Sequence, residues 1–152
     1  MSAPLVTTIG YQAATVSSFL HAVRDAGVEL LVDVRAVASS RRPGFAKSRL
    51  AANLAEAGIG YLHLRGLGTP AEGRAAARAG QHARLRSIYR EHLATPGAFA
   101  ELDRLADLVR AGQRVCLLCF EAEPAHCHRS LVAAALGAVL PVEVTHLMPV
   151  DA

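Results

Sequence analysis

The chain has 152 residues, of which 52% are hydrophobic and 19% are charged, and its formal net charge is +3. This length predicts a single domain, residues 1–152, with a substantial hydrophobic core. No apolar run reaches the roughly 18 residues of a membrane span, and the first residues show no signal-peptide pattern, so we expect a cytoplasmic protein with no membrane partner. The three cysteines all lie between positions 116 and 127, which argues against a disulfide framework.

Strand and helix patterns alternate along the chain. Strands are predicted at 5–9, 30–34, 59–64, 114–120 and 142–147. Helices are predicted from the N-cap Thr15 to Gly27, at 47–57, 82–94 and 97–110, and from 127 onward. This order predicts an α/β fold, a mostly parallel five-stranded sheet with helices on both faces in a Rossmann-like three-layer arrangement. The long connection from Arg65 to about Gly80 predicts a substrate-covering or partly helical segment.

The stretch from Val115 to Ser130 passes from an apolar strand through a polar loop into a helix. In open α/β sheets, ligand sites lie outside the carboxyl ends of the strands. Strand direction alone therefore gathers polar residues from several strands at one edge. They are Tyr11, Asp33, Arg35, His63, Glu121 and His146, with Cys127, His128 and Arg129 beside them.

The basic residues are segregated. No acid lies between Asp33 and Glu56 or between Glu72 and Glu91, and these two windows hold ten of the sixteen basic residues. Such segregation predicts a positive surface for a polyanion or a phosphate ester, so a nucleotide or nucleic acid is the expected partner. The alternative is that residues 74–90 form a solvated helix face.

Two carboxylates are candidates for acid–base chemistry. Asp33 ends a buried strand, and it is either a general acid or base or a structural partner of Arg35, Arg41 or Arg129. Glu121 has the same two interpretations, with chemistry preferred. Two acids that converge on one cleft suit protonation of a leaving group and activation of water.

Cysteine and histidine chemistry is the competing interpretation at the same loop. Cys127 at a helix start is a candidate thiolate with His126 or His128 as its base, although a packed structural cysteine is preferred. Cys116 and Cys119 point to opposite faces of a strand and make a poor metal pair. A mononuclear site from Cys119, His126, Cys127 and His128 is the minority hypothesis, so no metal and no cofactor are predicted.

The loop from Ser39 to Lys47 carries three basic residues and one aromatic residue. Arginines bind phosphates and an exposed aromatic ring stacks on a base, whereas a buried Phe45 would anchor the loop under the sheet edge. Arg129 at a helix N-terminus suits phosphate. The predicted substrate and phosphate ligands are Tyr11, Arg35, Ser40, Arg41, Phe45, Lys47, Tyr61, Arg74 and Arg129.

Six motifs in chain order resemble one family. They are Thr8-Ile9-Gly10-Tyr11, Val32-Asp33-Val34-Arg35, Ser40-Arg41-Arg42-Pro43-Gly44-Phe45, Gly58-Ile59-x-Tyr61, Leu67-Gly68-Thr69-Pro70 with Arg74, and Leu118-Cys119-Phe120-Glu121 with Cys127-His128-Arg129. Over nearly the whole chain they resemble the family named domain of unknown function 488, whose members are small bacterial and archaeal proteins. Members commonly carry an acid after the tyrosine of the first motif, where this chain has Gln12.

These observations lead to one preferred function and two alternatives. The preferred hypothesis is an enzyme that acts on a nucleotide or nucleic acid by hydrolytic cleavage of an N-glycosidic or phosphate-ester bond, with Asp33 and Glu121 as acid–base groups. The first alternative is a thiol-dependent transferase of rhodanese-like organisation that uses Cys127. The second is a nucleic-acid-binding module without catalysis.

Overall fold

The sheet has five strands, and every pairing between them is parallel in strand order β3-β2-β4-β1-β5. These features come from a computed structural model that describes residues 3–124 and 127–149. The strands are β1 (Leu5–Gly10), β2 (Leu30–Asp33), β3 (Gly60–His63), β4 (Val115–Cys119) and β5 (Glu143–Leu147). The predicted α/β architecture is therefore confirmed, and the sheet is entirely parallel within the described residues.

Six α-helices connect and cover the strands in the described part of the chain. Thr15 caps the first helix with a reciprocal capping box to Ser18, which fixes the helix start. The long connection after β3 is partly helical, because it contains a 3₁₀ turn and a short helix. The helices are α1 (Val16–Asp25), α2 (Lys47–Glu56), α3 (Ala71–Arg78), α4 (His82–Leu93), α5 (Pro96–Arg110) and α6 (His128–Val139), and the 3₁₀ turn is Arg65–Leu67.

Two hydrophobic clusters lie on opposite faces of the sheet. One cluster joins the sheet to α4, α5 and α6, and the other joins it to α1 and α2. Strand β4 contributes to both because successive side chains alternate between its faces. Cys119 belongs to the first cluster and Cys116 to the second, which confirms that these two cysteines cannot act as a pair. All of β4 is buried, as its continuous apolar sequence predicts.

The carboxyl ends of β1, β2 and β4 lie side by side. Gly10 pairs with Cys119, and Asp33 pairs with Leu118. The chain after β4 passes directly over the end of β1, where a Cβ atom on Gly10 would overlap the carbonyl group of Glu121. A glycine is therefore required at this crossing. No helix among residues 3–124 and 127–149 combines the length and apolar character needed to cross a membrane.

Candidate functional site

A cavity of about 400 Å³ opens at this carboxyl edge. Its walls come from the loop after β2, from the segment around α3, and from the loop between β4 and α6. This volume lies within the range of sites for small molecules. The charged residues that line it are Arg35, Arg41, Arg74, Arg78 and Glu121.

The two basic windows of the sequence meet at this cavity. Arg41 comes from the first window, and Arg74 and Arg78 come from the second. Arg41 and Arg78 are exposed, whereas Arg74 is half-buried and donates from NH1 to the Thr69 carbonyl oxygen at 2.9 Å. Glu121 is the only acidic residue among the described lining residues. The cavity is therefore a region of positive potential with one carboxylate.

Asp33 is fully buried and is not among the residues that line the cavity. Its Oδ1 accepts hydrogen bonds from the backbone N–H and the Nε of Arg35, at 3.1 and 2.9 Å. Its Oδ2 accepts from NH2 of Arg35 at 2.7 Å and from the hydroxyl of Tyr61 at 2.5 Å. Four donors therefore satisfy this carboxylate, and the arrangement is that of a structural ion pair.

The same ion pair organises the aromatic residues beside it. NH1 of Arg35 donates to the Tyr11 hydroxyl at 3.1 Å and to the Phe45 carbonyl oxygen at 2.8 Å. Burial lowers the pKa of Arg35, but the hydrogen bond and charge of Asp33 raise it by more, so the guanidinium stays charged. Burial and the hydrogen bond to Asp33 raise the pKa of Tyr61. Tyr61 therefore acts as a neutral hydrogen-bond donor to the pair.

Phe45 is buried under the loop that carries Arg41. Its ring stacks on Tyr11 with centroids 4.6 Å apart and meets Phe19 edge-on at 5.3 Å. The ring is therefore enclosed by protein, and no face is left open for a base. Phe120 is the exposed aromatic residue of the cavity wall, with 42% of its surface accessible. Its ring meets Tyr11 edge-on at 5.4 Å.

Arg129 is also fully buried and is not part of the cavity lining. Its Nε donates to Thr8 Oγ1 at 3.1 Å, NH1 donates to the carbonyl oxygen of Glu121, and NH2 donates to that of Ala122 at 3.2 Å. Burial lowers its pKa. The guanidinium ties the loop after β4 to the end of β1, and so it fixes where Glu121 stands.

Cys119, Cys127 and His128 form the floor of the cavity, and all three are buried. The sequence predicts no disulfide framework, yet the sulfur atoms of Cys119 and Cys127 lie within bonding distance. Nδ1 of His128 is 3.8 Å from Cys127 Sγ, and Nε2 is 2.6 Å from the Val34 carbonyl oxygen. Burial lowers the pKa of His128 to about 4, so the imidazole is neutral at neutral pH.

The remaining predicted residues lie at different distances from the cavity. Tyr11 and Ser40 line it, whereas Lys47 is exposed at the start of α2 and does not. Nε2 of His63 lies 2.7 Å from the Arg35 carbonyl oxygen, and Nδ1 of His146 lies 2.5 Å from Thr8 Oγ1. His126 lies outside the described residues.

Comparison with family models finds one match, to the family described as "Domain of unknown function DUF488", over residues 15–136. The chain belongs to this family. Comparisons with curated proteins and with solved structures found no match. Family membership therefore confirms the resemblance that the motifs predict. It does not assign an activity.

Gln12 follows the tyrosine of the first motif, and the structure gives it a role in the loop. Its backbone N–H donates to the Phe120 carbonyl oxygen at 2.8 Å, and its side-chain Oε1 accepts from the Ala122 N–H at 3.2 Å. Gln12 therefore holds the chain that carries Glu121 against the end of β1. An amide oxygen accepts this hydrogen bond without the charge of an acid.

Four further residues line the cavity although the sequence patterns predict no site role for them: Val37, Arg78, Leu85 and Phe120. Arg78 belongs to the second basic window, and a spacing of four residues from Arg74 places both on one face of a helix. If a helix is recognised inside the long connection, this spacing predicts that Arg78 lies beside Arg74. Phe120 directly follows β4, Val37 lies in the loop after β2, and both are exposed apolar residues.

Proposed function

We propose that this protein is a hydrolytic enzyme that binds one nucleotide unit in the cavity, either free or as part of a strand. The observation that carries the proposal is the convergence of both basic windows on a cavity of about 400 Å³ with a single carboxylate. Arginine guanidinium groups bind phosphate through charge-assisted, bidentate hydrogen bonds.

The arginines have different parts in this proposal. Arg35 is committed to Asp33, Tyr11 and Phe45, so its charge is largely neutralised within the protein. Arg41 and Arg78 are exposed on the cavity wall, and Arg74, which also lines the cavity, donates from NH1 to the Thr69 carbonyl oxygen. The phosphate ligands in our proposal are therefore Arg41, Arg74 and Arg78.

The remainder of the cavity suits the base and sugar of the same unit. Phe120 exposes an aromatic ring, and Val37 and Leu85 add apolar surface. Aromatic rings stack on bases without sequence preference, at about 1–3 kcal/mol per base. Ser40 and Tyr11 add hydroxyl groups to the wall. A nucleotide therefore matches the cavity better than inorganic phosphate, which would leave the apolar surface unused.

Glu121 is the acid–base group of the proposal. It would take a proton from the attacking water while the water oxygen bonds to the sugar or the phosphorus, and the leaving group departs with the bonding electrons. Asp33 does not act as a second acid–base group in this mechanism, because its oxygens accept four hydrogen bonds from Arg35 and Tyr61. We assign Asp33 a positioning role through Arg35.

The phosphate-binding part is tested by fluorescence anisotropy of labelled oligonucleotides and of a labelled nucleotide, titrated with salt. The Arg41→Ala/Arg78→Ala variant is expected to bind about 10- to 100-fold more weakly at low salt and to show a shallower salt dependence. The matched control is Arg84→Ala/Arg86→Ala, which removes two exposed arginines of the same basic window outside the cavity lining. Equal losses in both variants would contradict cavity binding.

The catalytic part is tested by chromatography of nucleotides and of lesion-bearing oligonucleotides after incubation with the protein. Release of a free base identifies N-glycosidic cleavage, and release of inorganic phosphate identifies ester cleavage. We expect Glu121→Gln to slow release by about 10²- to 10⁴-fold while binding is kept, and the neighbouring Glu123→Gln to leave it unchanged. Binding without any release would support a binding module instead.

A second candidate function uses Cys127 as a nucleophile. The supporting observation is that Cys127 lines the cavity, at the N-cap of α6 and with its Sγ 3.8 Å from His128 Nδ1. The thiolate required for this function exists only in the reduced protein, because Cys127 Sγ lies within bonding distance of Cys119 Sγ. This thiol-transfer hypothesis predicts that Cys127→Ser abolishes turnover while Glu121→Gln does not. The two variants therefore separate the two candidates in one experiment.

A further inference from the structure

The floor of the cavity brings together three atoms that bind soft metal ions. One ligand atom from each of Cys119, Cys127 and His128 lies within 4.8 Å of the other two. All three residues are buried, with at most 8% of their surface accessible, and all three face the cavity. Two cysteine sulfurs and one imidazole nitrogen are a ligand set that zinc sites use.

The orientation of His128 fits a ligand. Its Nε2 lies 2.6 Å from the carbonyl oxygen of Val34, which accepts hydrogen bonds only, so the hydrogen of the neutral ring belongs on Nε2. Nδ1 then carries a lone pair and faces Cys127 Sγ at 3.8 Å. Metal-binding histidines almost always donate their other N–H to a carbonyl or carboxylate group in this way.

The backbone spacing of the two cysteines also suits a shared ion. Their Cα atoms are 7.2 Å apart, beyond the roughly 4.4–6.8 Å usual for a disulfide. Two thiolates bound to one tetrahedral zinc, with metal–sulfur bonds of about 2.3 Å, hold their sulfur atoms about 3.8 Å apart. The two sulfur atoms lie within bonding distance in this structure, so they would have to move apart to bind one ion, and the wide Cα spacing allows this without bringing the two chain segments closer.

Charged and polar groups around the sulfur atoms complete the fit. NH1 of Arg129 lies 3.7 Å from Cys119 Sγ, and Cys127 stands at the N-cap of α6, where the helix dipole is positive. Both features favour thiolates. Two thiolates, a neutral imidazole and a divalent cation sum to zero charge, which suits a buried position.

We propose that Cys119, Cys127 and His128 bind one Zn²⁺ at the floor of the cavity, with the fourth coordination position open to the cavity. Three protein ligands with one open position are the pattern of catalytic rather than structural zinc sites. In such sites the open position holds a water molecule, and the metal lowers the pKa of that water. The inference does not rest on the proposed substrate, because it is tested by metal content and spectra.

The test uses the full chain, reduced and stripped with a chelator under anaerobic conditions. Zn²⁺ is then titrated against a chromophoric chelator, and Co²⁺ is added to a second sample as a spectroscopic probe. We expect one ion per chain, the visible bands of tetrahedral cobalt, and a near-ultraviolet thiolate-to-cobalt band. Thermal melting of the same samples is expected to shift upward with Zn²⁺, because the ion binds the folded protein.

Cys119→Ser, Cys127→Ser and His128→Gln are each expected to weaken zinc binding by more than the roughly 10- to 100-fold typical of outer-shell changes. The matched control is Cys116→Ala, which removes the cysteine on the opposite face of β4 and should bind zinc as the unmutated protein does. Circular dichroism verifies that each variant is folded.

Two results would overturn the proposal. The first is a folded, reduced protein that takes up no stoichiometric zinc or cobalt and forms a Cys119–Cys127 disulfide on exposure to air, which would identify a redox pair. The second is equal metal uptake by the unmutated protein and all three ligand variants, which would identify surface binding. A one-to-one ion that is lost in each ligand variant and retained in Cys116→Ala supports it.

Discussion

Strands β2 and β4 are neighbours in the sheet, and both end in polar residues at the same edge, but the two ends differ in what satisfies them. After β2, Asp33 and Arg35 form a buried ion pair whose polar atoms are bonded to each other and to Tyr11, Phe45 and Tyr61. After β4, the side chains of Cys119 and Glu121 line an open cavity.

The difference separates scaffold from chemistry. The polar atoms of Asp33 and Arg35 at the end of β2 are hydrogen-bonded to other protein atoms, so these two residues stabilise this edge of the sheet. At the end of β4, in contrast, Cys119 and Glu121 line the cavity. Changes after β2 should therefore cost stability, and changes after β4 should cost binding or turnover.

The largest stability effect is expected for Asp33→Ala. Its removal leaves the buried charge of Arg35 without a partner, which should lower the free energy of unfolding by about 3–5 kcal/mol. Urea denaturation followed by circular dichroism measures the change. Asp107→Ala is the matched control, because its pair with Arg110 is exposed, with 69% and 44% of the two side chains accessible; that loss should stay below about 1 kcal/mol.

Similar losses in the two variants would show that the ion pair after β2 contributes no more to stability than an exposed pair, and would contradict its structural role. If Asp33→Ala does not fold, Tyr61→Phe provides a milder version of the experiment. It deletes the hydroxyl that donates to Asp33 Oδ2 at 2.5 Å and is expected to cost about 1.5–3 kcal/mol, as for hydrogen bonds to charged groups.

An intermediate effect is expected for Gly10→Ala, at the crossing between the two regions. The added methyl group would overlap the carbonyl group of Glu121, and overpacking typically costs about 1–3 kcal/mol. The displaced loop should also weaken nucleotide binding. Gly97→Ala is the control, since a Cβ there meets no atom within 4 Å. A Gly10→Ala protein with unchanged stability and binding would show that the loop position is not fixed by this contact.

The smallest effect is expected at Cys116, which shares β4 with the cavity residues but lies on the other face. Burial raises the pKa of its thiol to about 12, so it should remain unlabelled by an alkylating reagent at neutral pH in the folded protein. Cys127 in the metal-free, reduced protein should be labelled through the cavity, and Zn²⁺ should protect it. Peptide mass spectrometry distinguishes the two; rapid native labelling of Cys116 would contradict its assignment to the core.

Much of the fold follows from local patterns. Continuous apolar runs such as Val115–Cys119 predict strands buried on both faces, and the alternating order of strands and helices then predicts a parallel sheet. The same topology places the ends of β1, β2 and β4 together, so the position of the cavity was predictable. Segregated charge in two windows predicted the basic wall of the cavity.

The partners of individual side chains did not follow from the sequence. Asp33 had several arginines within reach along the chain, and only the fold shows that Arg35 satisfies it from two positions away. Phe45 sits in a basic loop and is enclosed only because Tyr11 and Phe19 pack on it. The contact between Cys119 and Cys127 depends on how the loop between β4 and α6 turns, which a strand-to-helix pattern does not specify.

The central claim is that the cavity between the two basic windows is the ligand site, and an NMR titration tests it most directly. Backbone amide shifts are followed as a nucleoside monophosphate is added, with the unphosphorylated nucleoside in a parallel series. We predict shifts concentrated at Ser39–Arg41, Arg74–Arg78 and Phe120–Glu121, with clearly weaker binding of the nucleoside. Shifts confined to α5 or β5, or equal affinity for the two compounds, would contradict the account.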